Sequence, residues 1–139
     1  MPALPCVGAD LRQASRPLTQ TYDEALRPLG PRATQFTVLQ ALWLAGEVSQ
    51  GELGQMLARD STTLTLTLEI MGRLGWIAKR NGKDRREPLL RLATAGQDQL
   101  QHTLPVWEKT QMELSRQLGD KRWHDFLKLT NEVTNLVTE

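Results

Sequence analysis

Apolar positions recur along most of the chain at helical steps, and glycines and prolines mark the breaks between them. Leu11, Ala14, Leu18, Tyr22, Leu26 and Leu29 are three or four residues apart, which predicts an amphipathic helix over 11–29. Pro17 interrupts this pattern, so the helix either kinks there or starts after it. Gly30-Pro31 breaks the chain. Thr34 then reads as the N-cap of a second helix over 35–45, with Phe36, Leu39, Leu42 and Trp43 as its apolar face and Gly46 at its end.

Two short helical patterns follow in succession. Ser49 and Glu52 have the spacing of a capping box, and Leu53, Met56 and Leu57 continue at helical steps, predicting a helix over 50–58. Asp60 or Ser61 caps the next, over 61–74, whose core stripe is Leu64, Leu68 and Met71. Two short helices joined by a few residues are the pattern of a helix-turn-helix, in which the second helix reads DNA.

The period then changes. Gly75 closes the helix and 76–80 reads as a strand. Asn81 to Glu87 is a polar turn containing Asn-Gly, and 88–92 is the return strand, with Pro88 tolerable at a strand start or edge. Thr94 and Gln97 form a second capping box opening a long helix over 95–117, bent at Pro105. Leu100, Leu104, Trp107 and Leu114 share one face of it. Gly119-Asp120 is a break and cap. A last helix over 121–137 carries Trp123, Phe126, Leu127, Thr130, Val133 and Val137 at near-heptad steps. The fold class is therefore mainly α with a small β-hairpin wing: a winged helix-turn-helix lobe flanked by N- and C-terminal helices. Those outer helices are too apolar on one face to stand alone. They are expected to pack together and against a second copy.

Composition changes this picture mainly through where the charge lies. The 139 residues carry 17 basic and 16 acidic side chains, a net charge of +1. Residues 1–45 hold four basic and three acidic, 46–95 eight and six, and 96–139 five and seven. Between Trp76 and Arg91 there are six basic residues against two acidic. The positive excess thus sits on the hairpin, and a near-neutral protein with such a patch can still attract phosphate. No apolar run approaches the roughly 20 residues of a membrane span. Residues 1–9 lack the basic start of a secretory signal, and the single cysteine, Cys6, permits no internal disulfide. A cytoplasmic protein is expected. His102 and His124 have no second ligand at metal spacing, so neither a metal nor a cofactor is expected. No paired carboxylates, nucleophile elbow or phosphate loop points to an enzyme.

The segment Leu74-Gly75-Trp76-Ile77-Ala78-Lys79-Arg80, then Asp84-Arg85-Arg86, then Leu90-Arg91-Leu92-Ala93-Thr94-Ala95-Gly96 resembles the MarR family of bacterial winged helix-turn-helix regulators. Upstream, Gln35-Phe36-Thr37-Val38-Leu39 and Ser49-Gln50-Gly51-Glu52-Leu53-Gly54 resemble it too. So does the order of elements along essentially the whole chain. The resemblance implies a homodimer built from the terminal helices, 11–29 and 95–139, and a DNA-binding lobe over 34–94. It implies reading helices in successive major grooves of near-palindromic double-stranded DNA, and wings in the flanking minor grooves. It also implies a cleft between the two regions where small aromatic effectors bind. The expected role is a transcriptional repressor released by such an effector or by thiol oxidation.

Within that frame Arg86 is the leading candidate for a groove contact, since guanidinium suits a narrow, negative minor groove. Asp84, two residues earlier, would hold it by a charge-assisted hydrogen bond. The alternative is a solvated turn with a surface ion pair. Lys79, Arg80, Lys83 and Arg85 are candidate phosphate contacts, or solubilising charges. On the reading helix, Ser61, Thr62, Thr63, Thr65 and Thr67 offer hydroxyls and methyls. The family commonly has arginine or another strongly polar residue at the positions of Ser61 and Leu66, and neither is basic here. Threonine gives no bidentate guanine contact, so base readout is expected to be weak, AT-leaning or carried mainly by the wing. Leu66, Ile70 and Leu74 make a second apolar stripe, which either binds a partner or packs in part under the wing. Ser49 and Gln50 lie at a helix N-terminus that suits a phosphate, or simply cap it. Arg73 reaches a phosphate or pairs with Glu69.

By resemblance, Arg12, Arg16, Tyr22, Trp43 and Trp107 would line the effector cleft; aromatic residues at helical spacing also serve as core or interface. Cys6 is either a redox sensor, which needs nearby cations to lower its pKa, or an inert buried residue. A competing function is a winged-helix protein-interaction module without sequence-specific DNA binding.

Overall fold

The computed structural model describes residues 5–57, 61–82 and 86–137. Six helices and three short strands are assigned there: α1 Val7–Leu26, α2 Ala33–Ala45, β1 Glu47–Ser49, α3 Gln50–Leu57, α4 Ser61–Arg73, β2 Ile77–Arg80, β3 Leu89–Leu92, α5 Thr94–Leu118 and α6 Asp120–Val137. A single 3-10 turn, Arg27–Leu29, closes α1. None of these helices is long and apolar enough to cross a membrane.

The predicted elements are present, with corrections at their ends. α1 begins at Val7, four residues before the predicted start, and runs through Pro17, so it does not start after the proline; the 3-10 turn carries helical structure on to Leu29, the predicted end. Thr34 is inside α2 and is not its cap. Arg32 occupies the N-cap position, its N–H donating to Gln35 Oε1 at 2.9 Å. The next free amide, Ala33 N–H, donates to Asp23 of α1 at 2.6 Å, so one helix caps another. Thr94 is likewise the first residue of α5 rather than its cap; Ala93 takes that position with no side-chain bond. The Ser49–Glu52 box is formed: Glu52 N–H donates to Ser49 Oγ at 3.2 Å, and Ser49 N–H to Glu52 at 3.4 Å.

The sheet has the order β1-β3-β2, antiparallel throughout. β2 and β3 form the predicted hairpin with Ile77 opposite Leu92 and Arg80 opposite Leu89. β1, opposite the outer side of β3, was not predicted, because three residues are too few to show a period.

The core lies in the winged lobe. Phe36, Val38, Leu39 and Leu42 of α2 meet Leu53, Leu64, Leu68 and Met71 of the helix-turn-helix, with Trp76, Ile77, Leu90 and Leu92 of the hairpin. The α4 stripe Leu64, Leu68, Met71 is buried as its spacing requires. Trp43 is not on the core face of α2: it is 58 % exposed, and Val38 and Ala41 are buried instead. Leu26 and Leu100 tie α1 and α5 to this core. No residue of α6 is buried.

Two glycines fix how the lobe is joined. Gly75 adopts φ 78° and ends α4 with paired bonds, Gly75 N–H to Gly72 O and Trp76 N–H to Met71 O, both at 3.0 Å. This is the left-handed turn that glycine adopts without a Cβ clash. Gly96, in the first turn of α5, faces the backbone of Trp76. A Cβ there would sit 2.1 Å from the Trp76 carbonyl oxygen.

Candidate nucleic-acid interface

α3 and α4 pack at the edge of the core with their inner faces buried, which leaves the outer face of α4 to solvent. At about 100° per residue, the buried Leu64, Leu68 and Met71 put Thr62, Leu66 and Arg73 on the opposite ridge. All three are exposed. Leu66 is 58 % exposed and Ile70, beside it, 45 %.

The hydroxyls on this helix differ in their surroundings. Thr67 is half-buried and donates to Thr63 O of its own helix at 3.1 Å. Thr65 accepts a hydrogen bond from Gln50 Nε2 at 2.8 Å, which couples the start of α3 to the flank of α4. Thr62 and Thr63 are exposed. Ser61 opens the helix.

The N-terminus of α3 already holds an anion. Ser49 is buried, and its hydroxyl is engaged with Glu52 at 3.0 Å. The N–H of Gly51 donates to Glu87 Oε2 at 3.1 Å. Ser49, Gly51, Arg86 and Glu87 surround one shallow hollow of about 260 Å³. The phosphate expected beside Ser49 and Gln50 would therefore meet a carboxylate from the wing. Glu87 was not singled out from the sequence; its only signal there is an acidic residue directly after a basic run.

Arg86 is exposed at this hollow. Lys83, Asp84 and Arg85 lie outside the described residues, and with them the expected Asp84–Arg86 bond. Lys79 is exposed on β2. Arg80, next to it, makes a two-pronged pair with Glu47 of β1, Nε to Oε2 at 2.7 Å and Nη2 to Oε1 at 2.5 Å. That hydrogen bond, and then the carboxylate's charge, hold the Arg80 pKa above its ordinary value. Arg80 thus bridges the sheet's two outer strands. Arg73 lies 4.0 Å from Glu69, both exposed, the i,i+4 pair its spacing allowed.

The five residues expected around an effector cleft are not brought together in the single chain. Arg12 and Arg16 flank a shallow hollow with Ala9 and Gln13. Tyr22 lines a separate groove of about 550 Å³ between α1, α2 and α6, whose walls include Leu11, Leu18, Phe126 and Val133. Its hydroxyl donates to Gln111 of α5, and burial raises its pKa. Trp107 packs on Phe36, ring centres 5.6 Å apart and tilted by 33°. Trp43 stands exposed at the far end of α2. Cys6 is exposed at the start of α1, not buried as an inert small residue would be.

No family model matches the chain. It is similar to an uncharacterised HTH-type transcriptional regulator, YwoH of Bacillus subtilis, at 31 % identity over 80 residues, 58 % of each chain. The match therefore spans a little over half the length of that relative. Among solved structures it resembles the transcriptional regulator MosR of Mycobacterium tuberculosis in complex with DNA, at 32 % identity and TM-score 0.81, over 96 % of this chain and 99 % of the other. A MarR variant of E. coli complexed with operator DNA matches at 26 % identity and TM-score 0.82, over 91 % and 92 %.

Proposed function

This chain belongs to the MarR family of winged helix-turn-helix transcriptional regulators, which are not enzymes, and from that premise we propose that it binds operator DNA as a homodimer and represses transcription. The observation that carries the reading is one continuous surface. Arg86 shares a hollow with Ser49 and Gly51. Gln50 between them reaches Thr65, and Thr65 flanks the exposed ridge of α4. An exposed Arg86 on the wing and an outward helix face are therefore available to one duplex, the wing to a minor groove and α4 to the adjoining major groove. The DNA-bound relative MosR, matched over almost its whole length, supports this.

Residues 34–94 act as the DNA-binding lobe in this reading, and the terminal helices, 11–29 and 95–139, as the dimerisation region. The apolar groove between α1 and α6 supports the second assignment. A second copy brings two reading helices to half-sites about one turn apart, ~34–36 Å. A small aromatic effector is the release signal in this reading.

Removal of Arg86 tests the reading. Arg86→Ala should weaken binding to a duplex selected from a random DNA pool by the wild type. It should also lower the dependence of log affinity on log salt by about 0.9 for each phosphate that is no longer neutralised. Equal binding by variant and wild type removes the wing from the mechanism. Failure of the wild type to select any sequence over bulk DNA favours the protein-interaction module.

A further inference from the structure

The outer ridge of α4 is apolar at its centre. Leu66 stands close to opposite the buried Leu64–Leu68–Met71 stripe and is 58 % exposed, with Ile70 beside it. A leucine thus stands between Thr62 and Arg73 on the ridge that faces away from the core. Two of the hydroxyls near it are engaged: Thr67 donates within its own helix and Thr65 accepts from Gln50. An exposed leucine in this position gains nothing in water.

We propose that Leu66 reads sequence by contact with the C5 methyl group of thymine in the major groove, so that each half-site carries a required thymine opposite it. This rests on the reading that the chain binds DNA through α4. Three observations support duplex DNA as the occupant of this face. The ridge ends in Arg73, which lies 4.0 Å from Glu69, and Lys79 and Arg86 are exposed on the adjoining hairpin, so cations able to meet phosphate stand at the border of the apolar centre. Leu66 falls in the first half of α4, the part of a reading helix that meets base edges. Thr62, one turn earlier on the same ridge, offers a methyl and a hydroxyl to the neighbouring base pair. In the major groove only thymine presents a methyl group, so an apolar side chain there discriminates against the other three bases without any bidentate bond.

Deoxyuridine provides the test, because it differs from thymidine only by that methyl. A duplex selected from a random pool by the wild type is resynthesised with single thymines replaced by uracil, one position at a time. Wild-type protein should bind about fourfold more weakly when one particular thymine per half-site loses its methyl, the factor expected for one buried carbon, and about 15-fold more weakly when both half-sites are changed. Leu66→Ala should bind the thymine and uracil duplexes equally, while keeping the salt dependence of the wild type. Since Leu66 is exposed, the variant keeps its core. Wild-type indifference to every uracil substitution overturns the proposal, as does a full thymine preference in Leu66→Ala. In both cases salt-dependent binding to the selected duplex would persist, so the DNA-binding reading would stand. If the wild type selects no duplex, both readings fall together.

Discussion

The carboxylate of Glu87, at the base of the wing, accepts the backbone N–H of Gly51, in the first turn of α3, at 3.1 Å. Helix N-termini attract anions through their free amides and the helix dipole. Here the anion is supplied by the protein itself, at the point where a DNA phosphate was expected. The wing and the helix-turn-helix are thereby tied together by a bond that a phosphate can replace.

Glu87→Gln should therefore tighten DNA binding by about twofold to fivefold at low salt, the range for one charge at a helix terminus. The salt dependence should steepen as a phosphate takes up the amide. Titrations of wild type and variant at several salt concentrations measure both. Weaker binding by the variant would mean that the carboxylate orders the wing and does not compete with DNA.

Gly96 and Trp76 give a stability prediction. A Cβ at residue 96 would lie 2.1 Å from the Trp76 carbonyl oxygen and 3.0 Å from its carbonyl carbon, both backbone atoms. Neither can swing aside. The same oxygen also accepts the N–H of Ala93 at 2.9 Å, which fixes the start of α5 against the hairpin. Gly96→Ala should cost about 3 kcal/mol, the upper part of the usual overpacking range. The better helix propensity of alanine, worth ~1 kcal/mol, does not offset it. Denaturant unfolding of the two proteins checks this.

The helices and the hairpin were legible because each carries a period and most end at a glycine. The stripe Leu64, Leu68, Met71 and the Ser49–Glu52 box came out as their spacing implied. What sequence could not show were bonds between residues far apart along the chain. Asp23 capping α2, Gln50 meeting Thr65, and Glu47 holding Arg80 span separations of 10, 15 and 33 residues, and no local pattern encodes them. For the same reason nothing local pairs Arg80, a candidate phosphate contact or solubilising charge, with Glu47 of β1. Trp43 was misplaced because α2 is apolar nearly all round, so periodicity cannot say which side is the core.

Tyr22 is the chain's only tyrosine, so its ionisation can be followed alone. Burial disfavours the tyrosinate and raises its pKa above the ordinary 10.0. The folded protein thus holds its proton more tightly than the unfolded chain does. The corresponding stability is complete below the unfolded value and is lost as pH rises through the folded one. Ultraviolet absorbance titration should place the midpoint above 10.0, and Gln111→Ala, which opens the site next to the hydroxyl, should bring it back toward that value. A midpoint at or below 10.0 in the wild type would show that the ring is solvated.

The last prediction concerns the faces that the single chain leaves open. Leu129 is 57 % exposed and Leu136 78 %, while Val7 at the start of α1 is 62 % exposed. Together with Leu11, Phe126 and Val133 they flank or extend the groove between α1 and α6. A helix with no buried residue and an apolar stripe gains little by packing on its own chain. It gains far more by covering the same stripe on another copy, since a stable interface needs ~800 Å² per partner. Light scattering at micromolar concentration should give twice the 15.7 kDa of one chain. Leu129→Asp would bury a charge in that interface and should shift the mass toward one chain. The winged lobe, whose core contains no residue of α6, should stay folded. DNA affinity should then drop steeply, because each lobe must bind its half-site alone. A monomeric wild type, or a dimer indifferent to Leu129→Asp, would remove α6 from the interface.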